Sequence, residues 1–216
     1  MKVRSVVTVG VLLLFFGRTA GQPLSARNGD TFDPIECPLH EIMIGNDTLT
    51  AAFRLAAAYY TELCDRKIRL QYGSAKTSMA ARPTVWSVFR KRDHRRYKII
   101  VNKDSKSDGA RLIYAAPFDA RVGVMGHELA HVLDYSTRSG WQIMWMGVRY
   151  LGKNYRRKME RQTDSVAIVR GFGPQLYRYA YFVIYEADVD DAYRKYKSDM
   201  YMKPEEIDEM IKNINP

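Results

Sequence analysis

Gly126-His127-Glu128-Leu129-Ala130-His131 is the stretch on which the reading of this chain turns. Residues four apart on an α-helix differ by about 40° in direction and about 6 Å in height, so the imidazoles of His127 and His131 can reach one ion from a single face. Glu128 then lies beside that ion without ligating it, placed to accept a proton from water. With four His and nine Glu in 216 residues, chance placement would give His-Glu-x-x-His about 0.003 times in such a chain. The structural alternative is a helix that buries two histidines against neighbouring backbone.

Catalytic zinc takes three protein ligands and keeps a fourth position for water or substrate. No histidine follows His131, and the other two, His40 and His94, fall in a lead-in segment and a charged turn. An acidic third ligand is therefore expected, and Glu160-Arg161-Gln162-Thr163-Asp164 offers two carboxylates four apart on one helical face. Glu160 stands 29 positions after His131, which leaves room for a turn and an intervening helix that bring the ligand helix back. Glu160 is expected to bind the metal, and Asp164 to accept the other ring N–H of His127 or His131, fixing tautomer and orientation. Asp134 can reach the ion in principle, but helical geometry places it more naturally at the helix end as a cap or surface group.

His127, Glu128, His131, Glu160 and Asp164 together resemble the gluzincin metallopeptidases, which join His-Glu-x-x-His to a later Glu-x-x-x-Asp on a second helix. Thr163 fits the small residue common before the Asp in that class. The resemblance covers about Gly123 to Gly173, and the chain as a whole is similar to small exported bacterial proteins of the peptidase type. It implies an α+β, zincin-like fold: a small mixed sheet packed on the active-site helix, and a helix-rich C-terminal half. It also implies one Zn²⁺ per chain on His127, His131 and Glu160, with Glu128 as general base in peptide-bond hydrolysis. In zincins an upstream edge strand holds the extended substrate; here that strand is expected at Tyr97 to Val101 or Arg111 to Ala115. Zincins often stabilise the oxyanion with a Tyr or His, and Tyr150, Tyr155, Tyr177, Tyr179, Tyr181 and Tyr185 are all candidates. The metzincin pattern requires Gly at 134 and His at 137, where this chain has Asp134 and Thr137, so that class is excluded.

Around this core, Asn46-Asp47-Thr48 offers a cap for a helix from about Leu49 to Asp65. Residues Ile68 to Tyr72, Thr84 to Phe89 and Tyr97 to Val101 carry the β-branched and aromatic clustering of short strands. Between the last two, Arg90 to Arg96 is a strongly charged turn, read as a solvated hairpin tip in preference to a docking site for an acidic partner. From Asp119 onward the pattern is helical: to about Asp134, then Trp141 to Leu151, Tyr155 to Arg170, Gln175 to Tyr185 and Val189 to Lys197. Gly171 and Gly173 stop the third of these, and Pro204 opens a final helix. Gly123 and Gly126 weaken their own helix, so close packing against the sheet is their expected reason. The acidic run Glu186 to Asp191 lacks the turn Gly and distal Glu of a hand-type calcium loop and reads as a helix start.

Length fits one domain, taken as residues 22–216, and 46% hydrophobic with 27% charged residues is ordinary for a globular protein. Basic Met1 to Arg4, an apolar run from Ser5 to Gly17 and the small residues Thr19-Ala20-Gly21 read as a signal peptide over residues 1–21, which places the mature chain in the periplasm or outside the cell. The run is shorter than the ~20 residues needed to cross a bilayer, so no stable membrane span is expected. The formal charge of +10 falls to +7 without Lys2, Arg4 and Arg18. Such a surplus can attract nucleic acid, anionic lipid or acidic substrates, or serve solubility alone; no stacking or Gly-rich RNA motif accompanies it, so nucleic acid is not the expected partner. Cys37 and Cys64 can pair in an oxidising compartment or stay as separate buried thiols, while Cys37-Pro38-Leu39-His40 as half of a metal site lacks its second half. Three functions use these features: a peptidase acting on peptide or protein substrates, a zinc amidase trimming cell-wall peptides, and an exported binding protein with a structural or inactive metal site.

Overall fold

Alternation decides the sheet. A computed structural model describes residues 37–214, and within them Ile68 and Leu70 point inward from strand β2 (Lys67–Gly73) while the intervening residues stay exposed. β4 (Arg96–Asn102) is buried almost continuously from Ile99 to Asn102, as a strand covered on both faces must be. It lies inside the sheet, whose order is β1-β2-β4-β3, with β1 at His40–Met43 and β3 at Met79–Pro83. The first three run parallel, and β3 pairs antiparallel to β4 in the register Met79 to Val101 through Pro83 to Tyr97. Pro83, which has no N–H to offer a ladder, ends an edge strand, where it is tolerated.

Helix α1 (Asp47–Ala57) begins where Asn46 accepts the Leu49 N–H at 2.9 Å, and it buries Leu49, Ala52, Phe53 and Ala56 along one stripe. A disulfide between Cys37 and Cys64, 27 positions apart, ties the approach to β1 to the turn after α1. Past β4 the described chain is helical: α2 (Asp108–Ala115), α3 (Phe118–Thr137), α4 (Gly140–Arg149), α5 (Lys153–Ala167), α6 (Gly173–Tyr181), α7 (Asp191–Met200) and α8 (Pro204–Ile214). The result is α+β, with a small mixed sheet and a helix-rich C-terminal half. The expected signal peptide and the start of the mature chain lie outside the described residues.

α3 is the axis of the molecule. It packs on β3, α1, α5 and α6 and is buried without a break from Val122 to Val132, as a helix enclosed on every side is. Gly123 and Gly126 let it be enclosed so tightly, although the neighbours are helical rather than the sheet. A Cβ on Gly123 would stand 2.5 Å from the Gln175 carbonyl of α6, and one on Gly126 would meet the Phe172 ring at 2.7 Å. Gly123→Ala is expected to destabilise by about 2 kcal/mol, because overpacking against backbone costs up to about 3 and better helix propensity returns about 1. A denaturant midpoint equal to or above that of the parent would show that α6 can retreat freely.

Several expected elements differ. Thr84 to Phe89 is not a strand: Val85–Phe89 forms a 3₁₀ turn, and the strand lies earlier, at Met79–Pro83, where two alanines weaken the β signal. The first helix stops near Ala58 instead of Asp65, giving way to a short 3₁₀ turn at Thr61–Leu63. Arg111 to Ala115 belongs to helix α2, whose N-cap Ser107 accepts the Ala110 N–H at 3.2 Å. With Tyr97 to Val101 inside the sheet, neither expected edge strand is one, and β3 holds that place. After α5 the chain kinks at Gly171, whose φ of 95° is the one left-handed backbone position among the described residues.

Candidate metal centre

Helical spacing sets the first two groups. His127 and His131 project from one face of α3, and α5 brings Glu160 opposite them, so that Glu160 Oε2 lies 3.1 Å from His127 Nε2 and 3.3 Å from His131 Nε2. One ligand atom from each of the three falls within 4.8 Å of the others, and all three side chains are buried. Among the described residues this is the one such group of three or more metal-ligating side chains.

The hydrogen bonds behind the rings decide which nitrogens face inward. His127 Nδ1–H donates to Asp164 Oδ1 at 2.7 Å. Thr163 Oγ1 gives its own proton to the Met159 carbonyl at 2.9 Å and so can accept from His131 Nδ1 at 3.3 Å. Both Nδ1 atoms are thereby occupied as donors, which turns both Nε2 atoms toward the Glu160 carboxylate; protonated they donate to it, and deprotonated they would present lone pairs to a cation. Asp164 is itself held by the Met202 N–H on its other oxygen, at 2.9 Å. Two neutral nitrogens and one carboxylate oxygen form a donor set that suits a borderline-soft divalent cation.

The cluster balances its own charge. Burial alone would push the His127 pKa down, but the Asp164 and Glu160 carboxylates outweigh it and carry it up to about 10. Burial likewise opposes ionisation of Glu160, and the two imidazoles overcome it, holding the carboxyl well below its usual range. The Tyr150 hydroxyl donates to the remaining oxygen, Glu160 Oε1. The cavity therefore stabilises a carboxylate facing positive charge, the condition a cation would meet.

Glu128 sits on the same turn of α3, buried, with Oε2 lacking any hydrogen-bond partner. Burial pushes its pKa upward, against the pull of His131 and His127 and a bond from the backbone of Ala81 in β3. Burial of this kind makes a carboxylate a stronger base and moves its pKa toward neutral pH. Beside it opens a pocket enclosing about 580 Å³ of space, part of it open to solvent, whose walls include Met79, Val124, Val183, Lys197 and Tyr201.

Other candidates fall elsewhere. Asp134 is bound in a two-point ion pair by Arg138, at 2.7 and 2.8 Å. His40 Nε2–H donates to the Leu63 carbonyl at 3.0 Å and packs on Phe53, and Cys37 is in the disulfide, so no second metal site forms there. Of the six tyrosines considered, Tyr150 reaches the cluster and Tyr179 lines the pocket, bonded to Ser78 at 2.8 Å. Tyr177 stacks on Tyr181, whose ring is tilted against that of Tyr185, and Tyr155 lies under Arg149. Glu186 pairs with Arg178 at 2.9 Å, and Asp190 stands at the N-cap position of α7 without a side-chain capping bond.

Two site residues escaped the sequence reading. The Tyr201 ring packs 5.6 Å from that of His127, and the buried Lys197 ammonium lies 3.8 Å from the Tyr201 ring centroid. Desolvation draws the Lys197 pKa down to about 8, against the pull of Glu160, Asp164 and Glu128. Both come from the end of α7, and only their four-residue spacing placed them together. No protein-family model matches the chain, and no curated protein or solved structure is similar to it.

Proposed function

We propose that this chain is a zinc-dependent metallopeptidase of the gluzincin type, with His127, His131 and Glu160 as ligands and Glu128 as general base. The observation that carries the reading is the meeting of two Nε2 atoms and one carboxylate oxygen beside a buried glutamate whose second oxygen has no partner. Zinc bound there would act as a Lewis acid on the scissile carbonyl and bring the pKa of a coordinated water toward about 7. Glu128 takes the proton from the attacking water and passes it to the departing amine. Asp164 and Thr163 keep the imidazoles turned toward the ion, and Asp164 raises the donor strength of His127.

β3 suits the role of a substrate strand. It is an edge strand, its Ala81 touches Glu128, and an extended peptide laid along its open side would pair by main-chain bonds next to the base. The pocket beside His127 and Glu128 would then receive one substrate side chain. The Cys37–Cys64 disulfide supports export through residues 1–21, since such bonds persist in oxidising compartments.

The purified mature protein is expected to contain about one zinc per chain and to cleave members of an unbiased peptide library, with loss of cleavage on chelation and recovery on adding zinc. Cleavage of cell-wall peptides alone would move the reading to an amidase, and bound zinc without cleavage of any substrate would make the site structural.

A further inference from the structure

All three tryptophans of the chain, Trp86, Trp141 and Trp145, lie on the surface, with 84%, 78% and 65% of their area exposed. This reverses the usual fate of the largest apolar side chain and concerns adjacent elements. α4 buries only Ile143 and Met146, and turns Trp141, Met144, Trp145 and Val148 outward. That spacing of three, four and seven is the stripe by which a helix normally seats itself in a core, here facing solvent. The 3₁₀ turn Val85–Phe89 adds Trp86 and Phe89, also exposed. The two elements touch: a Cβ on Gly140 would stand 2.6 Å from the Val88 carbonyl oxygen. Buried Arg95 locks their flanks together by donating to the carbonyls of Arg90 and, at 2.6 Å, Arg138.

Charge identifies what covers this face. Between Asp65 and Asp93 there are eight Lys and Arg and no acidic residue; between Asp134 and Glu160 there are six and again none. The aromatic patch thus rises from two stretches that carry only positive charge, with Arg90, Lys91, Arg92 and Arg149 exposed within or next to its elements, while Lys153 pairs with Asp199 at 3.5 Å. A second copy of the chain would bring these cations face to face, which disfavours self-association. Tryptophan beside aliphatic groups and cations suits the boundary of an anionic lipid bilayer, where indole rings settle at headgroup depth and Lys and Arg meet the phosphates.

We infer that the face formed by Val85–Phe89 and α4 docks the protein on anionic lipid surfaces. Binding is reversible and peripheral, with the indoles inserted at the headgroup level. Tyr150, the residue after α4, donates to Glu160, so the docked face adjoins the metal centre.

Because every tryptophan belongs to this face, intrinsic fluorescence reads its insertion directly. Mature protein mixed with vesicles of phosphatidylglycerol and phosphatidylcholine should show a blue-shifted emission and co-sediment. Phosphatidylcholine alone should bind at least ten-fold more weakly. Trp86→Ser with Trp145→Ser, both at exposed positions, should reduce partitioning at least ten-fold and leave the melting temperature unchanged, with Trp141 kept as reporter. Lys91→Glu with Arg92→Glu should weaken binding to the anionic vesicles alone. Equal binding to both vesicle types, or none, overturns the inference. So does a shift produced by a single-stranded oligonucleotide and not by vesicles, which would assign the face to nucleic acid. An emission already blue in buffer and dependent on protein concentration would assign it to self-association.

Discussion

Glu128→Gln is expected to retain the metal and lower kcat/KM on a cleaved peptide by about 10²–10⁴-fold, the usual contribution of a positioned general base. The amide has the shape of the carboxylate but cannot take a proton, and it does not ligate the proposed ion. Nor should it harm the fold. Glu128 is buried with one oxygen unpartnered, and burial already disfavours its charged form, so a neutral side chain of the same size is at least as well accommodated. The variant should therefore melt at or above the parent temperature. Zinc content, melting temperature and peptide kinetics on one preparation check all three points, and undiminished turnover would remove Glu128 from its role.

Glu160→Ala is the counterpart: the metal should go, and activity with it. Removing a neighbour that merely orients a ligand typically weakens binding about 10–100-fold, and deleting the sole carboxylate that faces both imidazoles should exceed that. Asp134→Ala makes the sharper contrast. Asp134 also follows the His-Glu-x-x-His segment, but its carboxylate is taken up by Arg138, so zinc affinity should not change. Competition with a chromophoric chelator measures both variants. If Asp134→Ala releases the ion and Glu160→Ala does not, the third ligand has been misassigned.

The grouping of His127, His131 and Glu160 was legible because a helix converts spacing into direction: four residues return a side chain to the same face. The same arithmetic placed Asp164 behind Glu160 and left open which imidazole it would meet; the structure gives it His127. What the sequence concealed depended on tertiary contact. β3 reads Met-Ala-Ala-Arg-Pro, with little β propensity of its own, and exists because β4 offers it a partner; Val-Trp-Ser-Val-Phe has the propensity and coils into a 3₁₀ turn instead. Lys197 and Tyr201 reach the centre from the far end of the chain, and no local pattern announces such a meeting. The charged turn at Arg90 to Arg96 read as a solvated tip in preference to a docking site for an acidic partner, because the end of α3 that Arg95 binds, at Tyr135 and Arg138, is about forty positions away.

One bond beneath the centre bears on how acidity would act on it. The Tyr60 hydroxyl donates to the Gly126 carbonyl at 2.7 Å, directly before His127, and its ring lies stacked on Phe172. Burial raises the pKa of this phenol far above its ordinary value, so it keeps its proton at every pH a cell presents. The floor under the histidines is thus a fixed peg that acid and alkali leave alone. If the proposed hydrolysis shows a bell-shaped pH profile, it must then arise among the groups standing on that floor.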